Sequence, residues 1–187
     1  LVTATASNLC GTITCSFTVT VTGLAPVIVC PSNITVNNTI GQCGANVSYA
    51  ASETTAIPAS TISYSIASGS FFPVGTTEVI ATATNAVGSS SCTFTVTVVD
   101  NQLPLISCPA NISVIATNAA GAVVNYTAPV GTDNCYSTTA RTAGFASGST
   151  FPIGVTTVTH KVTDASNNTA ECSFTVTVVG IAPVVVC

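Results

Sequence analysis

The chain has 187 residues, of which two are Lys or Arg, six are Asp or Glu and one is His, for a formal net charge of −4. Two basic residues cannot neutralise a phosphate track, which excludes a nucleic-acid-binding role. Hydrophobic residues make up 47%, enough to fill cores rather than leave the chain disordered, and no apolar run approaches the roughly 18 residues of a membrane helix.

In chain order, the first marked element is CSFTVTVTGLAPVIVC at residues 15–30. Phe and Val alternate there with Thr, the period of two that marks a half-buried strand. Short strands are then predicted at Val27–Val36, Ala45–Ala50, Thr61–Ile66, Ser70–Phe72, Glu78–Thr84 and Cys92–Val99. Turn-forming residues separate them: Asn37-Asn38, Gly41, Gly69, Pro73-Val74-Gly75 and Asn85 through Gly88. The opening element returns as CTFTVTVVDNQLPLISC at 92–108 and as CSFTVTVVGIAPVVVC at 172–187. CPSNITV (30–36) recurs as CPANISV (108–114), and SGSFFPVGTTEV (68–79) as SGSTFPIGVTTV (147–158). No helical pattern interrupts the series.

The Phe residues heading the three alternating segments, Phe17, Phe94 and Phe174, are 77 and 80 residues apart. A period near 80 suits a small independent domain rather than a solenoid unit that needs neighbours to close its core. Two whole repeats are expected, 25–101 and 102–180. Residues 1–24 read as the last strands of a preceding repeat, and 181–187 as the first strand of a following one. The chain starts and stops in mid-repeat and has no Met, so it reads as a window on a longer array.

Four spaced motifs run together here: I-x-C-P-x-N-I-x-V, S-G-S-x-F-P-x-G-x-T-x-V, T-D-A-S-N-N and C-x-F-T-V-T-V. Their combination resembles the hyalin repeat (HYR) domain family across both whole repeats and both partial ones. The resemblance implies an all-β chain of tandem immunoglobulin-like antiparallel β-sandwiches, about seven strands to a domain. It also implies an extracellular or cell-surface setting with a role in adhesion or surface architecture.

Nine cysteines, at 10, 15, 30, 43, 92, 108, 135, 172 and 187, contain no C-x-x-C spacing for zinc. At domain-sized intervals in an extracellular-looking chain they read as disulfides. In the implied sandwich the first and last strands of a domain can run side by side, which pairs Cys30 with Cys92 and Cys108 with Cys172. Cys15 and Cys187 then take partners outside the window. Cys43 has no counterpart in repeat 2, nor Cys135 in repeat 1, though both positions are often Cys in the family. Within one domain they would stand at opposite ends of a strand more than about 20 Å long, too far for a bond that tolerates about 7 Å between Cα atoms. Head-to-tail stacking would bring Cys43 of repeat 1 against Cys135 of repeat 2, an interdomain bond; the alternatives are free thiols or bonds to other chains. Cys10, in a hairpin loop, has no evident partner here and takes one outside the window, in a neighbouring chain or an upstream domain.

His160 aligns with Ala81 on an alternating strand and reads as a packed core residue. No paired carboxylates or Ser-His-Asp spacing accompany it, so no catalytic residue and no enzyme activity are expected. Asp100 in the linker, with Asp133 and Asp164 in loops at the entry end of repeat 2, could converge as oxygen ligands for calcium; ordinary turn-forming Asp is the alternative, and no other cofactor is expected. Six glycosylation sequons occur, at Asn33, Asn37, Asn46, Asn111, Asn125 and Asn167.

Charged residues are 4% of the chain, against about 25% in ordinary globular proteins, so Thr, Ser, Asn and Gly must cover the surface. Such a surface opposes association only weakly. The leading expectation is a structural segment of an extracellular fibre, filament or stalk that packs against copies of itself through edge strands. The alternative is an adhesion module whose loops bind a surface protein or glycan; the 6% aromatic content and absence of Trp argue against a sugar-stacking platform.

Overall fold

The computed structural model describes Leu1–Ala182. Cys187 and most of the expected strand 181–187 lie outside the described residues. Among the described residues the chain forms sixteen strands and no helix: β1 (Val2–Asn8), β2 (Gly11–Phe17), β3 (Ile28–Val29), β4 (Ile34–Asn37), β5 (Gly44–Asn46), β6 (Ser52–Glu53), β7 (Thr61–Tyr64), β8 (Phe71–Pro73), β9 (Gly75–Thr84), β10 (Ser89–Val99), β11 (Ile112–Ile115), β12 (Ala122–Val124), β13 (Ser137–Ala143), β14 (Ser149–Phe151), β15 (Gly154–Asp164) and β16 (Thr169–Val179). The fold is all-β and immunoglobulin-like, in tandem. The chain divides into two compact units: one of residues 1–32, 48–68 and 78–95, the other of 33–47, 69–77 and 96 onward.

In the first unit, β1 and β2 form a hairpin from Val2↔Phe17 to Asn8↔Gly11, with every strand residue exposed. β3 pairs antiparallel with β6, and β7 with the end of β9. Ile28, Ala81 and Ala83 are buried, and Cys30, Ile62, Tyr64 and Cys92 pack on them. The Tyr49 ring stands edge-on to Phe94 at 5.0 Å.

The second unit holds a complete sandwich. One sheet runs β11-β16-β15-β13, and β12 pairs with β14. Between them lies a core of Ala122, Val124 and Phe151 from β12 and β14 against Val158, Phe174, Val176 and Val178 from β15 and β16. The alternation of Phe174, Val176 and Val178 with Thr produces this one-sided burial. Tyr126 meets Phe174 edge-on at 5.0 Å, and its hydroxyl donates to the Phe145 carbonyl at 2.7 Å. The same unit contains β4, paired with the end of β10, and β5, paired with β8.

The opening strand differs from the uninterrupted segment predicted at Val27–Val36. It breaks at residues 30–33: β3 pairs antiparallel with β6, whereas β4 runs parallel to β10, Ile34 opposite Val96. Pro31 lies at the break, where its missing N–H cannot continue a ladder. Repeat 2 does the same: Leu105 bridges antiparallel to Thr132, and β11 then runs parallel to β16. Each sandwich therefore carries one parallel pair among its antiparallel ones.

Candidate functional site

The described residues contain three disulfides. Cys30 is bonded to Cys92 with Cα atoms 5.8 Å apart, Cys108 to Cys172 at 5.6 Å, and Cys43 to Cys135 at 4.9 Å. The first two join the start of each repeat to its last strand, and Cys30, Cys92 and Cys108 pack against core residues. The third joins loop 38–43 of repeat 1 to loop 133–135 of repeat 2. Cys10 and Cys15 are exposed free thiols.

Around Cys43–Cys135 the second unit gathers loop 38–43, linker 100–102 and loops 133–135 and 164–168. Asn38 is buried, and its amide donates to the Gln42 carbonyl at 3.2 Å while its own amide oxygen accepts from the Asn101 N–H at 3.4 Å. The Gln102 side chain accepts from the Gly41 N–H at 2.8 Å. From repeat 2, the Asn134 amide donates to the same Gln42 carbonyl at 3.0 Å, and the Asn168 amide donates to the Asp100 carbonyl at 3.1 Å. Short amide side chains thus tie three loops and the linker together.

Of the three acids singled out in the sequence, Asp100 and Asp133 come together. One carboxylate oxygen of each lies with the Cys135 sulfur in a group whose atoms are all within 4.8 Å of one another. That sulfur is in a disulfide, so it is no thiolate ligand. Asp164 is buried and connected to the linker only through Asn168, whose amide donates to both Asp164 and the Asp100 carbonyl; its carboxylate is committed to its own hairpin loop. It accepts from the N–H groups of Ser166 and Asn168 at 2.9 and 2.7 Å and from the Asn168 amide at 2.8 Å. Those bonds support the turn in which Asn167 takes a φ of +70°, a conformation Asn tolerates better than most residues.

Asn134, Gln42 and Asn168 are the junction residues that sequence reasoning missed. A neutral amide in a loop carries no signal beyond turn propensity, and Gln42 takes part through its backbone carbonyl, which no residue type announces. All six sequon asparagines are exposed; the Asn46 amide donates to the Gly69 carbonyl at 3.2 Å, and the Asn111 side-chain oxygen accepts from the Thr175 N–H at 2.8 Å.

His160 on β15 is 4% exposed. It faces Cys172 on one side and Arg141 on the other, with its ring edge-on to Tyr126 at 6.2 Å. Burial, and next the Arg141 charge, hold its pKa below the ordinary 6.5. Beside it opens a groove of about 470 Å³ lined by residues such as Pro129, Val130 and Arg141.

The HYR domain model matches residues 23–98 and 99–178. The chain belongs to the HYR domain family. It is 35% identical over 175 residues to hyalin of Strongylocentrotus purpuratus, covering 87% of this chain and 14% of that protein. To hyalin of Lytechinus variegatus it is 33% identical over 178 residues, covering 89% of this chain and 34% of that one. The chain thus spans about a third or less of the length of these relatives. Among solved structures, human protocadherin-24 EC1-2 is 13% identical with a TM-score of 0.38, covering 86% of this chain and all of that one. The titin domains z1z2 in complex with telethonin are 14% identical with a TM-score of 0.38, covering 88% of this chain and all of that one. A disulfide-bonded HYR chain of this kind belongs outside the reducing cytosol, in the extracellular space or at the cell surface. No helix among the described residues is long and apolar enough to cross a membrane.

Proposed function

We propose that this chain is a structural segment of an extracellular fibre, filament or stalk of tandem HYR domains, and that it associates laterally with copies of itself. The domain units in this reading are 25–101 and 102–180, each closed by its own disulfide. The observation that carries it is the character of the outer sheet faces. Hydroxyl pairs stand on exposed strand surfaces where charges are usual: Thr76 with Thr97 at 3.0 Å, Thr82 with Ser91 at 2.8 Å, and Thr159 with Ser173 at 2.9 Å. Neutral faces of matching chemistry in successive repeats pack without charge repulsion, and edge strands offer unpaired backbone groups for lateral contact. In this reading the role is non-enzymatic; the one histidine is packed into the core as a structural residue.

A second reading is favoured by one observation. The groove beside Tyr126, Arg141 and His160 has no chemical counterpart in repeat 1, where Ala81 replaces the histidine. A loop-bounded groove lined by Arg141 and His160 fits an adhesion module holding a surface protein or glycan. Electron microscopy of native material separates the two. Uniform filaments support assembly; dispersed single particles that capture a ligand through repeat 2 replace it with adhesion.

A further inference from the structure

Repeat 2 leaves open a space that repeat 1 fills. In repeat 1, Tyr64 of β7 stands opposite Ala81 of β9. Its ring packs edge-on to Tyr49 at 5.3 Å, and its hydroxyl accepts from the Ala51 N–H at 2.8 Å. In repeat 2 the matching register sets Arg141 of β13 opposite His160 of β15. An arginine lays no ring over the sheet, and no tyrosine hydroxyl meets Ala128, the counterpart of Ala51. The space is instead the groove of about 470 Å³, bounded by Tyr126, Ala128, Thr139, Arg141, Ser147 and His160.

The polar groups around this groove offer protons and no negative charge. The Arg141 guanidinium donates to the Gly144 carbonyl, and its planar fork carries further N–H groups for a ligand. The Thr139 hydroxyl oxygen accepts from the Gly131 N–H at 2.9 Å, and that of Ser147 from the Tyr126 N–H at 2.8 Å; each hydroxyl proton is left to donate elsewhere. In repeat 1 the matching Ser68 gives its proton to the Tyr49 carbonyl at 2.7 Å. The core-packed His160 ring forms the floor. Its Nδ1 has no partner, so no bond fixes the tautomer, and the ring can carry its proton on the nitrogen that a ligand meets. No Asp or Glu among the described residues lines the groove, although the chain has six acids and two basic residues. We propose that the groove receives one carboxylate side chain from an acidic peptide segment of a partner protein, with Arg141 as its charged anchor. The proposal rests on the adhesion reading and names its partner. The guanidinium fork matches a carboxylate in two parallel hydrogen bonds. A glycan fits less well: Tyr126, the only phenol ring in the lining, is already packed against Phe174 and His160, where a sugar would need a free aromatic face.

The test is titration of acetyl-Ala-Glu-Ala-amide into the whole oxidised chain at constant pH, following the ring signals of its one histidine by NMR. Acetyl-Ala-Gln-Ala-amide and glucuronate are the comparisons. The expected result is a saturable shift of the His160 signals with the Glu peptide, and binding about tenfold or more weaker for both comparisons. Arg141→Gln lowers affinity for the Glu peptide about tenfold or more, since it removes the charge that pairs with the carboxylate. Arg141→Tyr, which restores the ring of repeat 1, abolishes binding. Arg141 is exposed, and circular dichroism checks that each variant keeps its strands. Arg141→Lys keeps the charge without the fork and retains part of the affinity, a result that misfolding cannot mimic. No saturable shift, equal binding of the Gln peptide, tighter binding of glucuronate, or an affinity unchanged by Arg141→Gln overturns the assignment. If native material captures a ligand through repeat 2 while the Glu peptide fails to bind, adhesion stands and the acidic partner falls; if both fail, the adhesion reading falls with it.

Discussion

His160 sits at a position where repeat 1 has a fully buried alanine, Ala81. Its ring nitrogen Nδ1 is buried without a partner, and burial and the Arg141 charge depress its pKa. A depressed histidine leaves the folded state unwilling to take a proton that the unfolded chain accepts. Its penalty is therefore absent above about pH 6.5 and grows as pH falls from there through the lowered folded value. Urea unfolding midpoints measured at about pH 7.5 and pH 5 should fall for the parent chain. They should fall less for His160→Phe, which keeps the edge-on packing against Tyr126 and cannot titrate. Gly121 presents a different constraint. Its φ is +121°, and a Cβ there would stand 1.8 Å from the Phe151 carbonyl oxygen. Gly121→Ala must push β12 off β14, and thermal melts should show a loss of about 2–4 kcal/mol.

At the scale of the strands, the longest were the most legible. Phe94-Thr95-Val96-Thr97-Val98 and Phe174-Thr175-Val176-Thr177-Val178 lie in β10 and β16, their Phe and Val buried as the alternation requires. The two-residue strand β6 was not legible, because Ser52 and Glu53 are too few and too polar to show a period. Nor was the division of the opening strand. Alternation reports which face a residue takes, not which neighbour it pairs with, so β4 parallel to β10 left no mark beyond Pro31. The candidate site was legible only in its charges. Asp100, Asp133 and Asp164 stood out together in a chain with six acids, whereas nothing marked Asn134. Phe174 measures the packing that the long strands create. It is 2% exposed and lies in the middle of the second unit's core, so Phe174→Ala should cost about 3–5 kcal/mol in urea unfolding.

For the molecule as a whole, the three disulfides change what stretching can do. Cys30 and Cys172 are 142 residues apart along the backbone, but the Cys30–Cys92 and Cys108–Cys172 bonds leave only the sixteen steps from Cys92 to Cys108 between them. At roughly 3.5 Å per residue those sixteen steps extend to about 55 Å, against about 500 Å for the reduced chain. Single-molecule pulling between handles outside Cys30 and Cys172 should register that small release when oxidised and a roughly ninefold larger one after reduction. Tension applied at the ends therefore runs through the last part of β10 and the short segment carrying Asp100, making that stretch the tether's mechanical fuse while the rest of both β-sandwiches stays out of the load path.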